Sequence, residues 1–438
     1  MLERKKMNAT APELFSTKDY KRSRGAYCME CAFEYFVALL VQDAFLAKLL
    51  TDIGLPDWLI GIVSSFISLA FLFQLFSVFV VQKISNTKVF VIIFHFLSQI
   101  FFMSLYLIPF LTIDSRIKWA LAIGGILVAY FGNYFVTSMI YRWGNSYVHP
   151  DKRGSYGATK EMISLLTGMV VTLVVGWAMT AFEKNNNLHG GFIFAAVGIF
   201  IFAVCDFVCL MLIKNDIRPK EKKESVPMRE VLANTLGNKN YRNAIILAIL
   251  YQVAIYTTVG FLGAFKTNEL LLTVGAVQII NIVSQGARFA LSKPFGRYSD
   301  KHSYIKGLEL AIIVAAVAFA INIFTTPKTW MLIIPFTILY NVCQAGTTSN
   351  FLNITYSYVD KKYFVQASAI KNSICGVCGF LASVLAGLLA SRIQGNGNSL
   401  FGISVYAPQV LSVISLAVLA AAFIFAKAVV EKQRVMKQ

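Results

Sequence analysis

The chain has 438 residues, of which 57% are hydrophobic and only 14% charged, with a mean hydropathy of +0.64 and a formal charge of +18. Soluble domains carry nearer ~25% charged residues, so this composition excludes an ordinary soluble protein. The surplus of apolar side chains, which includes 36 Phe, indicates a chain exposed to a lipid bilayer.

Twelve apolar segments occur along the chain, each long enough to cross a hydrocarbon core of ~30 Å. Because backbone groups in lipid must be satisfied within a segment, we expect all twelve to be helices. They span residues 29–50, 58–81, 89–111, 119–141, 158–182, 192–213, 243–265, 271–291, 308–324, 330–354, 364–393 and 406–426.

The distribution of basic residues predicts the orientation. With the amino terminus in the cytoplasm, roughly 30 of the 40 Lys and Arg lie on the cytoplasmic side and about 7 outside. The opposite orientation would reverse this ratio, so we expect both termini in the cytoplasm. The positive charge is then a topology signal, and no basic soluble domain remains to bind nucleic acid.

The second half of the chain repeats features of the first. Shifts of about 211 and about 214 residues superimpose polar, charged and glycine positions, such as Tyr147 on Tyr358, Lys160 on Lys371 and Gly61 on Gly275. We therefore predict a six-helix bundle in residues 1–213, a basic cytoplasmic linker in 214–242 and a second six-helix bundle in 243–438. Chance similarity between apolar segments is the alternative.

Two loop motifs suggest a family. Gly296-Arg297-Tyr298-Ser299-Asp300-Lys301 follows the eighth helix, and Asp151-Lys152-Arg153-Gly154 precedes the fifth. With these motifs, twelve helices and a long central linker, nearly the whole chain resembles a bacterial-type member of the major facilitator superfamily (MFS) of transporters. The resemblance implies an all-α membrane protein with twelve transmembrane helices in two bundles. The first-half copy of the hexapeptide, at residues 82–87, has lost both Gly and Asp.

The same resemblance implies that charged groups at the cytoplasmic ends of helices act in gating. The motif's carboxylate can cap a neighbouring helix or pair with a cation when the cytoplasmic side closes. A solvated basic loop is the alternative. The gating candidates are Gly296, Asp300, Lys301, Arg153, Lys160, Glu161 and Lys371.

Two polar stripes predict the lining of a cavity. Tyr130, Asn133 and Thr137 in the fourth helix are spaced i, i+3, i+7, which places them on one face. The repeat matches them to Asn341, Gln344 and Thr348 in the tenth helix. It also identifies Gln252 and Tyr256 in the seventh helix as candidates for the lining. In the resembling family the first, fourth, seventh and tenth helices line a central cavity. The alternative is contact between helices through amide hydrogen bonds.

An ionisable residue inside a transmembrane span has a high free-energy cost in lipid, so its presence indicates a function. Glu34 in the first helix is the favoured coupling residue, with Asp43 as the second candidate. Asp43 lies about 180° around an ideal helix from Glu34, so both face one cavity only if the helix breaks. Arg288 either holds an anionic group or pairs with Glu34 or Asp43, or else it extends to the cytoplasmic surface.

Other residue types carry less information. Cys28-x-x-Cys31 and Cys375-x-x-Cys378 have the spacing of metal or redox pairs, but they fall in apolar helices and are better interpreted as packing residues. The four His are scattered and predict no metal site, and no phosphate-binding loop is present. Asp206 in the sixth helix has no assigned role, because the resemblance implies that this helix faces lipid.

These observations favour a secondary active transporter that moves a small polar solute, such as a sugar or another metabolite, by alternating access. H⁺ or Na⁺ would be coupled through Glu34. A drug or metabolite exporter is the alternative, although the fifth helix lacks the Gly-Pro pair of proton-driven drug exporters. A membrane sensor without transport activity is a third class. We expect a monomeric multi-pass protein of the plasma membrane, without enzymatic activity, cofactor or nucleic-acid partner.

Overall fold

The computed structural model describes residues 17–80, 87–149, 153–214, 228–360 and 363–433. Residues 82–86 of the first-half copy of the loop motif lie outside this range, as do Asp151, Lys152 and residues 215–227 of the predicted linker. The side chain of Arg153 is also outside the described part.

The described residues are almost entirely helical. In chain order the helices are α1 Lys18–Leu40, α2 Asp43–Asp52, α3 Asp57–Ser64, α4 Phe66–Val80, α5 Thr87–Leu105, α6 Ser115–Asn145, α7 Arg153–Lys184, α8 Leu188–Leu212, α9 Met228–Leu236, α10 Lys239–Thr258, α11 Val274–Lys301, α12 Tyr304–Asn322, α13 Ile333–Tyr358, α14 Phe364–Gly395 and α15 Ala407–Phe425. Short turns extend α10 through Val259–Phe261 and Leu262–Ala264 to the π-helical Phe265–Glu269, and α15 through Ala426–Val430.

One small feature departs from the predicted all-α architecture. Strand β1, Ser399–Leu400, pairs with β2, Ile403–Ser404, in an antiparallel hairpin with Ser399 opposite Ser404. Phe401 and Gly402 in its turn have positive φ angles.

Within the described residues, ten helices are long and apolar enough to cross a membrane. They correspond to the predicted segments other than the first and the eighth. Those two segments are helical as well, but α1 begins with a basic stretch and α11 carries Arg288, Lys293 and Arg297. The chain is therefore an integral multi-pass α-helical protein, while the count of twelve spans and the position of the termini remain predictions.

The first predicted helix differs from the structure in its start and in its continuity. It begins at Lys18 rather than at residue 29, and it stops at Leu40, whose carbonyl accepts a hydrogen bond from the Tyr106 hydroxyl at 2.5 Å. Asp43 then has a φ of +49°, a left-handed conformation that Asp adopts more readily than most residues. The break separates α1 from α2, so the ideal-helix angle between Glu34 and Asp43 does not apply.

The eighth predicted helix is longer than expected. The segment 271–291 was expected to end before the Gly296 motif, but α11 continues through Pro294 to Lys301. The Ser299 hydroxyl donates to the Phe295 carbonyl at 3.0 Å, and both side chains are buried. The hexapeptide therefore forms the last turns of a helix rather than a loop.

Contacts divide the chain into two compact units. Unit 1 comprises Met1–Gln42 and Phe73–Lys223, and unit 2 comprises Asp43–Leu72 and Glu224–Gln438. Unit 1 has a core of buried aromatic and aliphatic side chains that includes Tyr27, Tyr147 and Phe135. In unit 2 one core surrounds Phe261 and Leu411, and a second surrounds Phe295 and Val342. The two predicted bundles and their linker remain a prediction.

One hydrogen bond of unit 1 has an equivalent in unit 2, and the positions of the two bonds agree with the internal repeat. In unit 1 the Arg24 guanidinium donates to the Tyr147 carbonyl at 3.2 Å. In unit 2 the Asn238 amide donates to the Tyr358 carbonyl at 2.8 Å. The two donors are 214 residues apart and the two acceptors are 211 residues apart, the same shifts that relate the sequence halves. An equivalent hydrogen bond is thus made in both units, with a charged donor in one and a neutral donor in the other.

The predicted orientation can be tested by chemical labelling. Phe401 is 95% exposed in the hairpin turn, and His302 is exposed at the end of α11. The basic residues predict that the hairpin lies outside and the α11–α12 turn inside, so Phe401→Cys should react with a membrane-impermeant maleimide on intact cells. His302→Cys should react only after permeabilisation.

The parent chain is the control for this labelling, because its seven cysteines are all buried or half-buried in helices. Labelling of His302→Cys on intact cells, with Phe401→Cys protected, would establish the inverted topology.

Candidate functional site

Three ionisable side chains from three helices meet inside unit 1. Glu30 lies on α1, His95 on α5 and Asp206 on α8, and each is 0% exposed. The His95 Nε2 atom is 2.9 Å from Asp206 Oδ2, and one ligand atom from each of the three residues lies within 4.8 Å of the others. In the part of the chain that the structure describes, this trio is the one group of His, Cys, Asp and Glu residues with the geometry to hold a metal ion.

The trio contains more hydrogen-bond acceptors than donors. The Cys31 thiol donates to Glu30 Oε2 at 3.1 Å, and the Gln99 amide nitrogen lies 3.4 Å from His95 Nε2. Glu30 Oε1, Asp206 Oδ1 and Gln99 Oε1 accept no hydrogen bond from any described residue. Buried oxygens without a partner cost free energy, so the arrangement lacks a hydrogen-bond donor or a cation.

Glu34 lies one helical turn beyond Glu30 on α1, and its carboxylate hydrogen-bonds the Asn133 amide of α6. Asn133 belongs to the first predicted stripe, and its carbonyl accepts from the Thr137 hydroxyl at 2.6 Å. Tyr130, the third member, stacks edge-on against Phe102 with ring centroids 5.1 Å apart. The coupling candidate and the first polar stripe are therefore joined by a direct bond.

The second stripe is connected within unit 2. The Asn341 amide donates to the Ser284 hydroxyl of α11 at 3.0 Å. Gln344 hydrogen-bonds Tyr340 and accepts from the Thr347 hydroxyl at 3.3 Å. Thr348 is exposed. The shared cavity between the two stripes remains a prediction.

The seventh-helix candidates lie on α10 in unit 2. Tyr256 hydrogen-bonds Ser68 of α4. A Cβ atom placed on Gly379 of α14 would lie 2.9 Å from the Tyr256 ring and 3.2 Å from Gln252. Both side chains therefore pack where α14 approaches closely.

Asp43 forms an ion pair that sequence analysis did not predict. The Lys266 ammonium lies 3.0 Å from both carboxylate oxygens of Asp43, and the Asn281 amide donates to Asp43 Oδ2 at 2.9 Å. The Lys266 side chain is 6% exposed and that of Asp43 is 25% exposed. A Cβ atom on Gly263 would lie 2.8 Å from the Asp43 carbonyl oxygen, so this close approach requires glycine.

The role of Arg288 stays a prediction, since Asp43 is paired with Lys266 in the structure. Arg288 is half-buried on α11, within electrostatic range of Tyr340 and Cys343 on α13. These neighbours belong to the helix that carries the second stripe.

The repeat-related gating lysines both contact aromatic rings. Lys160 lies 4.6 Å from the centroid of Tyr27 and 4.9 Å from that of Tyr141, and Lys371 lies 5.8 Å from that of Phe351. These are cation–π distances. Among the other candidates, Glu161, Asp300 and Lys301 are exposed and Gly296 is half-buried, and the gating role of the set stays a prediction.

Sequence analysis missed three residues of these clusters. Asp206 was expected to face lipid, but it is completely buried. His95 stood alone in an apolar segment, and Lys266 fell just beyond the predicted span 243–265; their partners are 111 and 223 residues away in the sequence. For His95 and Asp206 a signal was available, because an ionisable residue inside a predicted span implies a partner.

Comparison with known proteins defines the class. The structure is similar to that of the nucleoside transporter NupG, with a TM-score of 0.72 and 14% identity over 93% of this chain and 99% of that chain. It also resembles a bacterial homologue of the human lysosomal transporter Spinster (TM-score 0.67, 14% identity, 96% of this chain and 100% of that chain). A third similar structure is the POT family transporter PepTSo (0.66, 12%, 94% and 99%). The fold is therefore that of a membrane transporter.

A family model identifies the chain more closely. The model of the Major Facilitator Superfamily matches residues 26–383. The chain therefore belongs to the Major Facilitator Superfamily, as its motifs suggested. No curated protein matches its sequence.

The Asp43–Lys266 pair generates a prediction about stability. Asp43→Asn leaves the Lys266 ammonium buried without its counter-charge, which should lower the free energy of unfolding by about 3–5 kcal/mol. Lys266→Gln should cost less, about 1–3 kcal/mol, because Asp43 keeps Asn281 and contact with water. Denaturant unfolding of the purified protein in detergent measures both values and, with the double variant, their coupling.

Lys328→Gln, at an exposed lysine, is the matched control and should change stability by less than about 0.5 kcal/mol. Additive single effects in the double variant would show that the two side chains do not stabilise each other.

Proposed function

We propose that this protein is a secondary active transporter that moves a small polar solute across the plasma membrane by alternating access. It acts as a monomer with twelve transmembrane helices and cytoplasmic termini. One observation carries the proposal: Glu34, inside an apolar helix, is hydrogen-bonded to Asn133 of a polar stripe. Polar and ionisable groups inside spans are costly to maintain and mark substrate or ion pathways.

The solute is expected to contact polar side chains from both stripes. Asn133 in unit 1, with Asn341 and Gln344 in unit 2, offers amides that donate and accept hydrogen bonds. The Arg288 guanidinium next to Tyr340 adds a positive group on the second side. This chemistry suits a solute with hydroxyl, amide or carbonyl groups. Similar structures include a nucleoside transporter and a peptide transporter, whose cargoes are polar.

Coupling to an ion gradient is assigned to Glu34. Binding of H⁺ or Na⁺ neutralises the carboxylate and lowers the cost of passing through a closed, dry intermediate. Asp43 is a poorer carrier, because Lys266 and Asn281 already satisfy its oxygens. The two parts of the proposal therefore meet at the Glu34–Asn133 bond, which connects the ion-binding carboxylate to the solute-binding stripe.

The test of coupling compares accumulation with exchange. In proteoliposomes loaded for a proton or a sodium gradient, the parent should accumulate its solute, identified from a panel of labelled nucleosides, sugars and peptides. Glu34→Gln is permanently neutral, so it should retain solute exchange while losing gradient-driven accumulation. Glu183→Gln, at the end of α7, is the control and should behave as the parent.

Accumulation by Glu34→Gln equal to that of the parent would make Glu34 a structural residue. If the parent itself showed neither exchange nor accumulation with any solute of the panel, the transporter of small polar solutes proposed above would be contradicted.

The stripes generate a second expectation. Asn133→Leu and Gln344→Leu each remove an amide from the proposed solute site and should raise KM by about 5–150-fold, the equivalent of one lost hydrogen bond of about 1–3 kcal/mol. Ser349→Ala, at an exposed position one residue beyond the second stripe, is the control. An unchanged KM in both leucine variants would remove the stripes from the binding site.

A further inference from the structure

The group formed by Glu30, His95 and Asp206 has a function that solute transport does not explain. The three side chains are completely buried, and they come from α1, α5 and α8. The group places two carboxyl groups and one imidazole away from water. Uncompensated buried charge is strongly destabilising, so an ionised carboxylate in this position requires a cation or a bound proton.

The local donors do not supply that partner. The Cys31 thiol reaches one oxygen of Glu30, and a single imidazole nitrogen reaches Asp206. Glu30 Oε1 and Asp206 Oδ1 accept no hydrogen bond from the described residues. These unpartnered oxygens lie in the group whose ligand atoms are all within 4.8 Å of one another. One divalent cation would neutralise both carboxylates at once.

The distances suit a small transition-metal ion. Ligand atoms about 2.1 Å from a metal are about 3.0–3.4 Å apart for bond angles between octahedral and tetrahedral values. The 2.9 Å between His95 Nε2 and Asp206 Oδ2 is close to the lower end of this range. The Glu30 oxygen lies within 4.8 Å of the other two ligand atoms, and a bound ion would draw it closer to complete the set.

The donor atoms select the class of metal. Imidazole nitrogen with carboxylate oxygens suits Zn²⁺ and its first-row neighbours, whereas Mg²⁺ and Ca²⁺ prefer sets made only of oxygen. A thiol, Cys31, lies directly beside the group, and its softness adds to the preference for Zn²⁺.

The fold does not require these acids. The 214-residue shift that relates Arg24 to Asn238 carries Glu30 to Ala244 and Glu34 to Ala248. Both alanines are buried, at 4% and 5% exposure. Unit 2 therefore packs its equivalent helix with alanines, and the acidic residues of unit 1 are an addition to the shared architecture.

We propose that Glu30, His95 and Asp206 form a binding site for one divalent first-row transition-metal ion of the Zn²⁺ class. The ion crosslinks α1, α5 and α8 within unit 1 and so stabilises the folded protein by mass action. The proposal goes beyond solute transport, because it concerns a bound ion that holds helices together.

The experiment measures metal bound to the purified protein. Full-length protein in detergent, with its affinity tag removed, is stripped with a chelator and dialysed to equilibrium against Zn²⁺. Elemental analysis should find one Zn²⁺ per chain, and the Tm should rise by about 5 °C at a hundredfold excess over Kd. Mg²⁺ at the same concentration should change neither quantity.

Variants identify the ligands. His95→Gln and Asp206→Asn should each weaken Zn²⁺ binding by more than about 100-fold, beyond the 10–100-fold cost of losing an outer partner. His189→Gln is the matched control. His189 lies at the start of α8 against Phe110, so this variant should bind Zn²⁺ as the parent does. If His95→Gln does not fold, the X-ray absorption spectrum of the Zn²⁺-loaded parent identifies the ligands instead. It should show one imidazole, with oxygen ligands at about 2.0–2.2 Å from the metal.

Three results would overturn the proposal. The first is a chelated parent that binds no Zn²⁺, and the second is equal binding by His95→Gln and the parent. The third is a spectrum without imidazole. In each case His95 and Asp206 would be a simple ion pair between α5 and α8. Because no readout depends on transport, the outcome is separate from that of the transport proposal.

Discussion

The high free-energy cost of placing an ionised side chain inside an apolar helical protein governs the structure of this chain. Little water is available there, so each charge needs a counter-charge, a hydrogen bond or a bound cation. The chain shows three solutions. Asp43 has an ammonium and an amide, Glu34 has an amide, and Glu30 shares a buried group with His95 and Asp206.

These solutions differ in completeness. At Asp43 the carboxylate receives three hydrogen bonds from two side chains, and the remaining exposure allows water to contribute. Around Asp206 the oxygens outnumber the donors that the described residues provide. A satisfied pair favours one arrangement of helices. Buried oxygens without a donor can instead be satisfied by an ion that binds from solution, which is the property expected of a binding site.

Much of the fold could be predicted from the sequence, because hydrophobic runs and basic loops are local signals. The stripe of Tyr130, Asn133 and Thr137 was visible from spacing alone, and the structure confirms that it lies on one helix. The break after Leu40 was not visible, since it depends on a tyrosine hydroxyl from another helix and on an unusual φ angle at Asp43. The partners of His95 and Lys266 were equally hidden, because contacts across more than a hundred residues are decided by tertiary packing.

The matching contacts of Arg24 with Tyr147 and of Asn238 with Tyr358 show where the two units agree and where they differ. Both have a donor for the corresponding carbonyl, while only α1 of unit 1 has acids at the positions where α10 of unit 2 has Ala244 and Ala248. An acidic substitution at Ala244 would enter a packed site without a histidine, whereas the reverse change at Glu30 would remove a group that already has neighbours. The two units therefore tolerate the same substitution unequally at corresponding positions.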